Sequence, residues 1–331
     1  MMKKTKALVS HSLATLEDNI ERTGDPLGFK TPYWTEWSRG LHVSRGGDCL
    51  LVTGRMYQML PYAAQMAVFV DMAKNLLTVK SMNRLISVGN RLAGETLLRL
   101  RAKNSVEIKK KGERALIGIF KTVRASGRRP VLAGEKDPYS GALLYDLGLE
   151  GALSKQILRA YEVLKEMGIE EIVTVDPHTT HMMRKIYPAY VPKYDIRVRH
   201  YLEILEEKKE LEVKEPPEGF PTRFVIHDSC VMTRELGIIE NTRRLASALN
   251  LEIIDPKNTG INTACCGGPV EYAFPDLSRS ISAIRMRELA SLAKDILVSC
   301  PICLLNFYPY EESLGVRIWD MGEILFQSLW S

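Results

Sequence analysis

Five of the six cysteines in this 331-residue sequence lie between Cys230 and Cys303. Cys230 is followed, after 34 residues, by the pair Cys265-Cys266, which runs straight into Gly267-Gly268; a further 33 residues separate Cys266 from Cys300-Pro-Ile-Cys303. Iron and inorganic sulfide are held by thiolates, so thiols at this density suit a metal-cluster cradle. Gly267 and Gly268 leave room for backbone to approach a cluster, and Pro301 stiffens the loop between Cys300 and Cys303. Zinc is the alternative, because Cys-x-x-Cys plus two more thiols satisfies a tetrahedron. Zinc needs only four ligands, however, and adjacent cysteines serve one tetrahedron awkwardly. Structural disulfides are disfavoured in a reducing cytoplasm. Cys49, alone in Asp-Cys-Leu-Leu-Val, reads as a small core residue.

The elements that must position these thiols alternate. Strands are expected at 49–53, 130–133, 171–175, 223–227, 251–254 and 295–299, with helices at 58–73, 142–167, 179–186, 232–249 and 278–292. That rhythm predicts α/β layered domains with parallel-type sheets, and the cysteines fall just after strands or in loops, where open α/β sheets bind ligands. A charged stretch, 206–221, containing Pro216-Pro217, separates a first domain (46–205) from a second (222–331), with an irregular, partly helical entry segment at 1–45. Hydrophobic content of 45% and charged content of 26% are ordinary for a soluble globular chain. No apolar run has the length of a membrane span and no signal peptide is recognisable, so the expected location is cytoplasmic.

The two domains are copies. Ile172-Val-Thr-Val-Asp176-Pro-His-Thr179 aligns with Ile296-Leu-Val-Ser-Cys300-Pro-Ile-Cys303, Tyr139-Ser140 with Cys265-Cys266, and Leu50-Leu-Val-Thr-Gly-Arg55 with Val225-Ile-His-Asp-Ser-Cys230. The first copy keeps the framework but has no cysteine at any ligand place. It also carries a basic helical insertion, about 71–128; residues 84–130 hold 13 Lys and Arg against Glu95, Glu107 and Glu113, in a chain of net charge +5.

The spacing Cys-x(34)-Cys-Cys-Gly-x(32)-Cys-x-x-Cys resembles the cysteine-rich CCG domain of heterodisulfide reductase B and D subunits. The same domain occurs in the iron-sulfur subunits of glycolate-, lactate- and anaerobic glycerol-3-phosphate-oxidising enzymes. His227-Asp228-Ser229-Cys230 looks like the family's His-Asp-Pro-Cys with Ser for Pro, and Gly141-Ala-Leu-Leu-Tyr-Asp-Leu-Gly148 resembles the first repeat just after its cysteines. The resemblance implies one noncubane [4Fe-4S] cluster on Cys230, Cys265, Cys266, Cys300 and Cys303. Arg55, Tyr139, Ser140, Asp176 and Thr179 stand where two-cluster relatives carry ligands, which puts heterodisulfide cleavage by a facing pair of clusters in doubt. The sequence also lacks the cysteine runs of a ferredoxin domain. Electrons are therefore expected to pass between a ferredoxin-type partner subunit and a thiol, disulfide or quinone acceptor. The competing reading is a non-catalytic assembly subunit with a structural zinc site.

His227 and Asp228, beside the cluster loop, are candidates for tuning its potential, for proton transfer or for orienting the Cys230 turn. His178 and His181 flank the ligand-free site, as proton donors, quinone contacts or packing residues. Arg55 either neutralises buried groups there or binds an anion. The basic stretch is a solvated face or a dock for an acidic partner or an anionic membrane surface, the latter allowing peripheral membrane association through a complex. Without interleaved aromatic residues it does not read as a nucleic-acid site.

Overall fold

The computed structural model describes residues 2–29, 33–43, 46–65, 95–168, 170–207, 217–268, 271 and 274–330. The expected helix beyond residue 65, the basic stretch up to residue 94 and linker residues 208–216 lie outside the described residues. Strands β1 (Cys49–Val52), β2 (Pro130–Leu132), β3 (Glu171–Thr174) and β4 (Arg197–His200) form one sheet in the order β2-β1-β3-β4. Strands β5 (Arg223–His227), β6 (Glu252–Ile254), β7 (Asp295–Val298) and β8 (Arg317–Asp320) form the other in the order β6-β5-β7-β8. Every pairing is parallel. The chain is thus α/β with two parallel sheets of one topology.

Register makes the duplication concrete. Val52 pairs with Thr174 as His227 pairs with Val298, so Arg55 and Cys230 occupy equivalent places, as do Asp176 and Cys300. Strands β1 and β7 are buried along their whole length. A parallel strand covered on both faces must be apolar throughout, and each Leu, Ile or Val so buried contributes about 1.5–3 kcal/mol.

Among the described residues the helices that bear on the site and the packing are α1 (Met2–Thr23), α2 (Val106–Ala125), α3 (Glu150–Glu166), α4 (Pro177–His181), α5 (Tyr201–Glu206), α6 (Glu240–Ala248), α7 (Pro275–Ala290), α8 (Pro301–Phe307) and α9 (Met321–Trp330). The helix expected over 142–167 is two pieces, Ala142–Asp146 and α3, separated where Gly148 takes a positive φ of 70°. The helix expected over 232–249 is likewise a π-helical turn, Val231–Glu235, and then α6, with Gly237 at φ 69° between them. Only glycine adopts such angles without strain.

The repeats pack in a reciprocal manner. Helix α2, the β1–β2 crossover, lies on α9, which follows β8; α6, the β5–β6 crossover, lies on α5, which follows β4. Helices α2 and α9 meet at backbone distance, since a Cβ on Gly118 would stand 2.1 Å from the Gly322 carbonyl oxygen. Charge closes the seam: Lys111 pairs with Glu311 (3.3 Å) and Glu323 (3.7 Å), and Arg114 with Glu323 (3.3 Å). Within the described residues, these basic side chains of the 84–130 stretch meet the chain's own carboxylates.

Candidate metal centre

Each thiol sits at the carboxyl edge of the second sheet, around the point where strand order reverses between β5 and β7. Cys230 follows β5 and opens the 231–235 turn, while Cys300 caps α8 from the end of β7. Pro301 takes the first helical position, where a missing N–H costs nothing, and Cys303 is in the first turn. Cys265 and Cys266 lie in the loop before α7, where Ser282 Oγ donates to the Cys266 carbonyl at 2.6 Å. Gly267 has φ 95°, and its Cβ would stand 2.5 Å from the Ser278 carbonyl oxygen. One on Gly268 would stand 2.2 Å from Ile302 Cγ2. Both glycines are required by close approach. Gly141, φ 86°, holds the corresponding place after Tyr139-Ser140.

The five thiols form one contiguous group, in which Cys230, Cys265, Cys266, Cys303 and Cys300 are each within hydrogen-bond reach of the next. Cys266, Cys300 and Cys303 are buried, whereas Cys230 and Cys265 are half-buried. Donation from Cys230 and then Cys266 brings the Cys265 thiol down to about 2, and the Gly267 N–H adds a bond to its Sγ at 3.3 Å. Burial opposes ionisation of Cys300, but bonds from Cys303 and His178 outweigh it and hold that thiol well below its usual range. Cys230 is pushed up by its bond to Cys265 and by burial; Cys266 and Cys303 are pushed up chiefly by donating to their neighbours. Cys49, in β1, is separate, its thiol pushed up to about 12 by burial.

His227, at the end of β5, accepts from Arg285 Nε through Nδ1 at 3.2 Å and packs edge-on against Phe307. The proton therefore rests on Nε2, which is buried without a partner. One of its ring nitrogens lies within 4.8 Å of the Cys266 and Cys303 sulfurs. Burial and then the Arg285 charge bring the imidazole down to about 3, so it is neutral. Asp228 turns the other way, accepting from Arg243 (2.9 and 3.1 Å), Thr259 Oγ1 (2.7 Å) and the Gly260 N–H (2.7 Å). It thereby fastens the loop leading to Cys265. Sequence reading missed Arg285, Arg243 and Asn306, whose Nδ2 reaches Cys266 Sγ at 3.9 Å. The available signal was the spacing Ser278, Ser282, Arg285, Leu289, one buried face of α7.

The ligand-free site is packed by its own side chains. Arg55, at φ 64°, turns into the entry segment: it pairs with Asp25 at 3.0 Å, donates to the Asp137 carbonyl at 2.9 Å and lies 3.9 Å from the Trp34 ring centroid. Thr179 sits against Gly54, where a Cβ would stand 2.0 Å from Thr179 Oγ1. Tyr139, Ser140, Asp176 and Thr179 are all fully buried. Of the two histidines expected beside that site, His181 pairs with Glu235 at 3.8 Å across the repeats. His178 reaches the cysteine cradle itself, with Nδ1 3.8 Å from Cys300 Sγ.

Five contiguous thiols, with two glycines admitting backbone beside them, fit an iron-sulfur cluster; they exceed the four ligands a zinc tetrahedron uses. Residues 224–308 match the CCG family, described as a cysteine-rich domain. The second repeat thus carries a match to the CCG cysteine-rich domain. The chain is 27% identical over 228 residues to a "Probable membrane-anchored ferredoxin" of Chromohalobacter salexigens, covering 66% of this chain and 34% of that protein. It is 22% identical over 197 residues to an "EtfAB:quinone oxidoreductase" of Syntrophomonas wolfei subsp. wolfei, covering 55% of this chain and 27% of that protein. The chain therefore spans about a third or less of these curated relatives. A solved aspartate racemase homologue from Pyrococcus horikoshii OT3 aligns with 63% of this chain and 89% of its own at 12% identity and a TM-score of 0.25, which carries no argument. Among the described residues no helix is long and apolar enough to cross a membrane.

Proposed function

We propose that this chain is the cysteine-rich iron-sulfur component of a heterodisulfide-reductase-like redox complex. It would hold one noncubane [4Fe-4S] cluster on Cys230, Cys265, Cys266, Cys300 and Cys303. The contiguity of those five thiols carries the reading, and the first repeat, with no cysteine at any ligand place, limits it to one cluster. When bound, the cluster supplies electron storage and transfer. The chain's own residues hold it, keep water from Cys266, Cys300 and Cys303 by burial, and direct the Gly267 N–H at the Cys265 sulfur. His227, fixed by Arg285 and neutral, lies beside the same group. The two copies, 46–205 and 222–331 about a linker at 206–221, are read as a vacated and a working version of one unit.

Electrons would come from or go to a ferredoxin-type partner subunit, the other end being a thiol, disulfide or quinone. The names of the two relatives favour a quinone-linked chain reached through a complex at the membrane surface. Anaerobic purification followed by iron, sulfide and zinc analysis tests this directly. Iron and acid-labile sulfide near four each per chain are expected; stoichiometric zinc without sulfide would sink the redox role and favour an assembly subunit. Cys266→Ala is expected to abolish cluster-dependent electron transfer while the complex still assembles.

A further inference from the structure

The ligand-free repeat does not merely survive as a scaffold. We propose that His178, supplied by that repeat, is a positioning residue that donates a hydrogen bond from Nδ1 to the Cys300 sulfur and thereby sets the potential of the cluster held by the other repeat. The inference rests on the cluster reading above.

The geometry is specific. Nδ1 stands 3.8 Å from Cys300 Sγ, within reach of an N–H···S bond, and both residues are buried. A metal-bound thiolate carries no proton, so in any bond between the two the imidazole must donate. The helix that carries the imidazole is held from two directions. Asp176 caps its helix, accepting from the Thr179 N–H at 2.9 Å, and α4 packs against the 231–235 turn that Cys230 opens. In the duplicated framework His178 is the counterpart of Ile302, an apolar residue wedged against Gly268. The vacated copy thus presents a polar donor where the working copy needs only a spacer. Hydrogen bonds to cluster sulfurs stabilise the more negative, reduced form and raise the potential.

The test uses the full chain, loaded with iron and sulfide, and reads the midpoint potential and the electron paramagnetic resonance spectrum of the cluster. Asn places its amide nitrogen close to the position of Nδ1, Gln extends it toward that of Nε2, and Leu removes the donor. His178→Leu and His178→Gln are expected to lower the one-electron reduction equilibrium about tenfold, about 59 mV, with altered g values. His178→Asn should recover at least half of that shift. A fully loaded Leu variant with unchanged potential and spectrum would overturn the proposal. If the Leu variant does not load, equal potentials in the Asn and Gln variants overturn it instead. Loss of cluster from all three variants, with the unsubstituted chain loaded, assigns His178 a purely structural role and also overturns it. Absence of iron and sulfide from the unsubstituted chain sinks the underlying cluster reading, and this inference with it.

Discussion

His227 and Asp228 are neighbours in sequence and point to different tasks. His227 lies beside the thiol group, with its Nε2 buried and unpartnered, whereas Asp228 ties down Thr259 and Gly260. Burial alone would push the Asp228 carboxyl up, but bonds from Arg243, the Gly260 N–H and Thr259 hold it below the usual carboxylate range. Asp228→Ala would leave Arg243 short of a partner and free the approach to Cys265. We predict ~10–100-fold weaker iron retention, read as faster iron loss to a chelator, with cluster content restored in part by Asp228→Asn. Proximity to Cys230 made this pair legible in the sequence. Arg285 was not legible, because a lone Arg in a helix reads as solvent-facing. Only packing puts it at 1% exposure with its guanidinium on His227.

At the scale of elements, six of the eight strands were readable, and the edge strands β4 and β8 were not. Strands β1 and β7 are buried along their whole length and β5 after Arg223, whereas β4 and β8 share an exposed-buried-intermediate-buried pattern that begins with Arg197 and Arg317. Edge strands carry charge on their open side, and that charge hides them from a hydrophobicity argument. Part of the basic stretch is likewise structural, since its last helix, α2, is the β1–β2 crossover and presses on α9 through Gly118. Gly118→Ala is predicted to destabilise the chain by about 1–3 kcal/mol through overpacking. Gly151→Ala, on the open side of α3 with nothing within 4 Å, should instead stabilise by about 0.4–1 kcal/mol. Thermal denaturation of the two variants separates them; equal melting points would contradict the close crossing.

Over the whole molecule, the repeats are joined by buried polar contacts as well as by α2 on α9. Tyr57 of the first repeat donates to Asp320 Oδ2 of the second at 2.9 Å, and the Gly322 N–H donates to Oδ1 at 2.8 Å. Burial nonetheless pushes the Asp320 carboxyl up to about 7. A carboxyl raised in the folded state contributes stability that is complete below its unfolded value, about 3.9, and is lost as pH rises through about 7. Stability should therefore fall across that window, by on the order of a few kcal/mol. Asp320→Asn should flatten the fall, measured as the difference in melting temperature between about pH 5 and about pH 8, each within the range of ordinary buffers. An unchanged pH slope would place the titration elsewhere.

The sequence by itself determined the chemistry and the duplication. Cysteine identity and spacing are local facts, as is the strand-turn-helix rhythm that places Cys230, Cys265, Cys266, Cys300 and Cys303 at one sheet edge. Whether the vacated site stays open, and what faces the surviving thiols, depends on side chains brought together across more than a hundred residues of chain. Arg55 could equally have filled that site or turned out of it. Its ion pair with buried Asp25 and its stacking on Trp34 turned it toward the entry segment. His178 lies 122 residues from Cys300, and no spacing rule connects them. Only the docking of one repeat's sheet edge on the other's supplies that contact.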